Sequence, residues 1–254
     1  LELKGNKALP EDSPTNQGVY YISERVKDMM SNETVILEFD AYAVNEDQFT
    51  FHTNSGLPVS IRSKNDLTMR QLEEVKRIVN EADDNPIEHI DFDTFADYYI
   101  VQELTKNVDG NLRKSSFITK ERGKKMEMYH LWDFDLTLGN CGYFWDGVGN
   151  GPENFWIKLD KWFPHLFKDP AFVQKVQNRW NELMPEFSKI PDFIDEQALY
   201  LDKAQERNFK VWSIWESVDW VYFPSLGSYE KEVEYLKEFY TERLQWLDRE
   251  LNNL

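Results

Sequence analysis

The chain is poor in cysteine, histidine and positive charge, and it has no long apolar run. Its one cysteine, Cys141, rules out an intrachain disulfide and leaves the redox compartment unmarked. The four histidines, at 52, 89, 130 and 165, lack ligand spacing, so zinc is not expected. No stretch approaches the ~18 consecutive apolar residues of a membrane-spanning helix. The 29 basic residues stand against 46 acidic ones, a net charge of −17. That balance argues against a nucleic-acid or anionic-membrane binder, because phosphate backbones are met by a basic face. An acidic protein still binds a nucleotide where metal ions screen the phosphates. Internal repeats and low-complexity tracts are missing as well. The chain opens Leu1-Glu-Leu-Lys without an initiator Met or a signal-peptide pattern, as expected of a mature or trimmed piece.

What is present is a folding composition. Hydrophobic residues make up 41% of 254 and aromatics 15%, which is too rich for disorder and enough for a real core in one large or two small domains. Residues 5–17 are turn formers and read as a loop. Gly18-Val-Tyr-Tyr-Ile-Ser23, Val35-Ile-Leu-Glu-Phe39, Phe49-Thr-Phe51 and Val59-Ser-Ile61 read as strands, the last two around an Asn54-Ser-Gly56 turn. Helix follows. Thr68 and Gln71 have capping-box spacing ahead of Leu72, Val75, Ile78 and Val79. Asp91 or Asp93 caps a helix with the stripe Phe95, Tyr98, Tyr99 and Leu104, which is expected to end near Lys106. Glycines at 139, 142, 147, 149 and 151 mark a loop. Helices follow on Phe172, Val176 and Trp180, over 193–209, and after a Ser228 cap with Val233, Leu236, Tyr240, Leu244, Leu247 and Leu251 in a stripe. The pattern predicts an α+β fold: a small antiparallel β region, then a mainly helical part.

The stretch that carries chemistry runs from Asn107 to Asn140. Two β-prone runs, Ser116-Phe-Ile-Thr-Lys120 and Met126-Glu-Met-Tyr-His130, flank the polar turn Glu121-Arg-Gly-Lys-Lys125 and predict a hairpin. Asp109 lies just before it, Asp133 and Asp135 just after. A hairpin brings its outer ends together, so three carboxylates share one corner of space. Unneutralised carboxylates that close repel, which implies a proton or a divalent cation, and Mg²⁺ suits a few carboxylates with phosphate and water oxygens.

Several chemistries compete for Asp133-Phe-Asp-Leu-Thr137. The order helix, Asp109, hairpin, Asp133-Phe134 matches phosphoryl transfer as protein kinases arrange it, although no His-Arg precedes Asp109 and Asp135 stands where Asp-Phe-Gly has glycine. Asp-x-Asp-x-Thr also resembles the nucleophile motif of haloacid-dehalogenase-type phosphatases, which need later parallel strands carrying a Lys and an acidic pair. A calcium loop fails, with Leu138 at the glycine position and Phe144 at the glutamate position. The plain alternative makes Asp109 a turn residue and Asp133 a cap, but three acids with Asn107 and Asn140 at one hairpin mouth weigh against it. Gly147-Val-Gly-Asn-Gly151 reads as a turn, since it lacks the strand-before, helix-after setting of a dinucleotide loop. The nine Trp, among them Trp212, Trp215 and Trp220, are expected mostly in the core, with a carbohydrate platform as the alternative.

Gly18-Val-Tyr-Tyr-Ile-Ser-Glu-Arg-Val-Lys27, Leu37-Glu-Phe-Asp-Ala-Tyr42, Asp93 to Leu104, Asn107-Val-Asp109 with Ser115-Ser116, Leu131-Trp-Asp-Phe-Asp-Leu-Thr-Leu-Gly-Asn140, Arg179-Trp180 and the closing 227–248 block occur in the order found in one family. The chain resembles, over nearly its full length, the spore-coat protein H kinase family of atypical, secreted or surface protein kinases. The resemblance implies a protein-kinase-like fold, with a β-rich partial N-terminal lobe at 1–66 and a helical C-terminal lobe at 67–254 in one continuous unit. It also implies ATP- and Mg²⁺-dependent transfer to Ser or Thr of a protein substrate, and an extracellular or cell-surface setting. By motif, Asp109 is the catalytic acid and Asp133 the metal ligand, with Asp135 and Asn107 as helpers. Lys27 and Arg62 are the candidate phosphate contacts. Family members usually carry a further stretch upstream with an Arg-Gly-Asn-Ser-like segment and part of the nucleotide lobe, so this chain is expected to be either a trimmed piece or a reduced member. A non-enzymatic module that binds a protein or glycan partner is the other reading of the same fold.

Overall fold

The computed structural model describes residues 34–42, 49–62, 67–142, 151–216, 221–222 and 224–254. The expected loop at 5–17 and strand at 18–23, together with Lys27, Gly147, Gly149 and Trp220, lie outside the described residues.

Five strands form one sheet: β1 (Thr34–Phe39), β2 (Thr50–His52), β3 (Pro58–Ile61), β4 (Ser116–Glu121) and β5 (Met126–His130), in the order β2-β3-β1-β4-β5. All of these strands pair antiparallel. The parallel strands of the phosphatase reading are not found among the described residues. β1 takes the centre because Ile36, Leu37 and Phe39 are all buried, so both of its faces are covered. Leu37 lies opposite Ile61 on one side and Ile118 on the other. The sheet therefore crosses residue 66, joining the early strands to the hairpin. Gly123 turns that hairpin at φ +78°, a left-handed conformation that favours glycine.

The helices are α1 (Met69–Asp84), α2 (Pro86–His89), α3 (Phe92–Leu104), α4 (Phe163–Leu166), α5 (Pro170–Phe187), α6 (Ile190–Val211) and α7 (Tyr229–Asn252). Thr68 and Gln71 form the expected capping box on α1, and α1 buries Leu72, Val79 and Ala82. Asp83, near its end, accepts bonds from Trp162 Nε1 (2.9 Å) and the Ser55 N–H (2.9 Å), pinning the β2–β3 turn to the core. Burial works to raise the pKa of that carboxyl, and its donors outweigh burial and hold it below the usual value.

Around α3 the rest is organised. Asp91 caps it by accepting the Thr94 N–H at 2.9 Å. The sequence stripe places one apolar face inward, yet Phe95, Ala96, Tyr98, Tyr99, Ile100, Gln102, Glu103 and Leu104 are all buried, and the helix is enclosed nearly all round. Its first turn is sewn to β5, through Asp91 N–H to Met126 C=O (2.7 Å) and Met128 N–H to Thr94 Oγ1 (3.2 Å). α5 packs on α3 and α7, burying Phe172, Val176 and Trp180. α6 packs on α7 and buries none of its residues, so Phe193, Leu199 and Tyr200 stay exposed. Trp156, Trp162 and Trp180 are core, as expected, whereas Trp132 and Trp212 are exposed. Among the described residues no helix is long and apolar enough to cross a membrane.

Candidate active site

The site begins where α3 stops. Asn107 N–H reaches back to Gln102 C=O and Lys106 N–H to Glu103 C=O, both at 3.0 Å, the crossed pair of bonds that closes a helix with a left-handed residue after its cap. That residue is Lys106, at φ +48°, where glycine is usual. Its ammonium is anchored by Gly151 C=O and Glu153 C=O, each at 2.7 Å. The turn redirects the chain so that Asn107 and Asp109 leave the helix toward the hairpin.

Asn107 is the clip. Fully buried, it accepts the Asp109 N–H on Oδ1 (3.1 Å) and donates from Nδ2 to Asp133 C=O (3.2 Å). Val108 N–H to Leu136 C=O (3.2 Å) and Leu138 N–H to Thr105 C=O (2.7 Å) lay the two flanks of the hairpin side by side. Tyr98, buried beneath them, donates to Gly110 C=O at 3.0 Å and lies 2.9 Å from Ser116 Oγ. Gly110 comes so close to α3 that a Cβ there would sit 2.3 Å from Gln102 Oε1. The loop before the hairpin is thus fixed against α3.

Asp109 is mostly buried, with Lys114 Nζ at 3.5 Å from its Oδ1. Burial raises its pKa, Lys114 opposes the rise, and the charges of Asp133 and Asp135 add to it. Asp133 sits at φ +64° and accepts the Ser115 hydroxyl on Oδ2 at 3.0 Å. Its pKa is raised too, by burial and then by Asp135, against the Ser115 bond and Lys114. Asp135, close enough to Asp133 to act on its carboxyl, also accepts the Tyr222 hydroxyl at 3.1 Å. So Asp109, Asp133, Asp135 and Asn107 are brought to one mouth. The guanidinium of Arg62 is held by Glu38 and by Asp40 (3.8 Å). Of the seven non-glycine residues at positive φ among those described, five (Lys106, Leu112, Ser115, Asp133 and Leu138) fall within this stretch. Backbone strain of that kind concentrates at functional sites.

Sequence reasoning missed three contributors. Lys114 is the cation beside Asp109, and Tyr222 reaches Asp135 from 87 residues away. The third is a buried ion pair, Glu103 with Arg243 at 2.7 Å, essentially without exposure. Arg243 also donates to the carbonyls of Pro152 and Asn154, and Glu103 accepts the N–H groups of Trp156 and Lys158. A signal existed, since Arg243 falls on the stripe of Tyr240, Leu244 and Leu247, where an arginine demands a buried partner.

As for a metal, the donors here are hard carboxylate oxygens, the type Mg²⁺ takes. Among the described residues no three acidic, His or Cys side chains form a ready-made metal cluster. That fits a cation held by one or two carboxylates and completed by a substrate's phosphates, and it does not fit an all-protein cage.

An antiparallel sheet leading into a helical part, with a helix-end acid and an acidic pair flanking one hairpin, defines a kinase-like α+β protein. The family model described as CotH kinase protein matches residues 2–247, and the chain belongs to that family. No curated protein and no solved structure matches it.

Proposed function

We propose that the protein is a kinase that transfers the γ-phosphoryl group of ATP to a Ser or Thr hydroxyl of a protein substrate, in an extracellular or cell-surface setting. The observation that supports this most is the Asn107 clip, which joins the backbone of Asp109 to that of Asp133 across the mouth of the hairpin. Asp109 orients the acceptor hydroxyl and takes its proton as the new O–P bond forms; the bond from the γ-phosphorus to the bridging oxygen breaks and ADP leaves. A carboxyl whose pKa burial has raised is a stronger base than an ordinary aspartate. Asp133 and Asp135 are the residues to hold Mg²⁺, which when bound neutralises charge on the phosphates; Asn107 fixes the spacing between these acids and Asp109. Lys114, beside Asp109, keeps the acid cluster from repelling itself apart. Lys27 and Arg62 are the cations to test against the phosphates.

The test is transfer of labelled phosphate from Mg-ATP to a Ser/Thr peptide pool. Asp133→Asn is expected to lower the rate at least ~10²-fold, the usual weight of one electrostatic contact in such a site, and to abolish any rise in melting temperature caused by Mg-ATP. No transfer and no such rise in the unaltered chain would leave the binding-module reading. Release of phosphate from a simple ester, abolished by the same change, would point to a phosphatase.

A further inference from the structure

Asp135 lines a groove of about 980 Å³. It is lined by residues of the 134–140 segment, by Phe209 of α6, by Ile214, Trp215, Tyr222, Pro224 and Ser225 between the helices, and by the start of α7. Phe209, Trp215, Tyr222, Tyr229 and Tyr235 line it, with the Phe209 and Trp215 rings 4.6 Å apart. Among the described residues, the charged side chains that line it are Asp135 and Glu232. Glu232 accepts the Leu226 N–H at 2.7 Å and so is turned to its own loop. No lining residue comes from the sheet. Asp135 and Tyr222, bonded to each other, line the groove, and Asp133, which accepts the Ser115 hydroxyl, lies close to Asp135.

Described lining residues that supply no cation make a poor seat for phosphates, and aromatic rings make a good seat for apolar side chains. Its continuity with the mouth, through Asp135, selects the occupant: the polypeptide whose hydroxyl must reach Asp109. About 980 Å³ is ~10 Å across, room for roughly three extended residues at ~3.3 Å each. We infer that this groove holds the acceptor polypeptide and selects segments carrying a large apolar side chain within about three residues of the phosphorylated Ser or Thr. The inference rests on the kinase reading above.

The experiment compares paired peptides that differ only in Leu or Phe against Ala at positions flanking the acceptor, read as kcat/KM with the full chain. The unaltered protein is expected to favour the apolar member of at least one pair by tenfold or more, as a filled apolar subsite gives. Trp215→Ala is expected to bring that ratio near one. Ile214→Glu, at an exposed rim position that tolerates charge in the fold, is expected to do the same and serves if Trp215→Ala melts early. Phosphorylation without preference, or a preference that survives both variants, overturns the groove assignment and leaves the kinase reading standing. A change confined to the KM for ATP overturns it in favour of a nucleotide seat. No transfer to any peptide sinks both readings.

Discussion

Two acids leave the same end of α3 and meet opposite treatment. Glu103 is sealed from water, with a guanidinium and two backbone N–H groups on its carboxylate. Asp109, six residues on, has one ammonium at 3.5 Å and two further carboxylates close enough to raise its pKa. The chain has the means to satisfy a buried acid, and uses them at Glu103. Its leaving Asp109 and Asp133 under-compensated at a strained turn marks them as groups kept for a ligand. The first cluster holds the loop in place; the second presents chemistry on it.

The sharpest way to break this comparison is to unseal the first cluster. Arg243→Met leaves Glu103 buried and unpaired, and is expected to cost ~3–5 kcal/mol in denaturant unfolding, while exchanging Glu103 as well recovers most of it. A loss under ~1 kcal/mol would mean that the pair is not holding the fold. Next comes the clip. Asn107→Ala orphans the Asp109 N–H and the Asp133 C=O, and is expected to cost ~1–3 kcal/mol. Its kcat is expected to fall further than its KM for either substrate rises, because the two acids lose their spacing.

Opposite in sign is the effect expected at the second cluster. Asp109→Asn removes a charge that the fold holds at a cost, so it is expected to raise stability at neutral pH by ~0.5–2 kcal/mol, as relief of an active-site group commonly does, while transfer falls ~10²- to 10⁴-fold. The pH dependence fixes the cause. An acid whose folded pKa lies above its unfolded value of ~3.9 destabilises the fold fully above the folded pKa and not at all below the unfolded one. The margin of Asp109→Asn over the parent is therefore expected to be widest near neutrality and to shrink as pH falls through the folded pKa. A margin that is flat with pH would assign the gain to packing. One that widens on acidification would mean the pKa is lowered instead.

Much of this was legible in the sequence wherever the signal was local. The Thr68 box, the Asp91 and Ser228 caps and the hairpin turn all sit within a few residues of what they cap or turn. Asp109 and Asp133 are brought together by the hairpin between them, so the topology of one turn was enough to place them at one mouth. The exchange of β1 with β4 was not legible, because some 80 residues separate Leu37 from Ile118 and nothing in either strand names its neighbour. Tyr222 reached Asp135 unannounced for the same reason. Trp132 and Trp212 were misplaced by composition: a tryptophan is core by default, and only the fold shows where an apolar surface has been left open.

The smallest expected difference, between two variants of one residue, is the most diagnostic of how the two clusters are joined. Lys106 lies between Glu103 and Asp109, and it combines a left-handed backbone with a tethered ammonium. Lys106→Gly removes the strain, ~1 kcal/mol, and also two charge-assisted bonds to carbonyls, ~1.5–3 kcal/mol each. The bonds outweigh the strain, and the variant is expected to be less stable than the parent by ~2 kcal/mol or more. Lys106→Ala keeps the strain and loses the bonds, so it is expected to be the less stable of the two by ~1 kcal/mol. If the turn only ends a helix, both variants will keep the parent's kcat. If the ammonium holds the Asp109 loop to the 151–153 segment, both will lose kcat together whatever their stability, and that shared loss is the outcome expected.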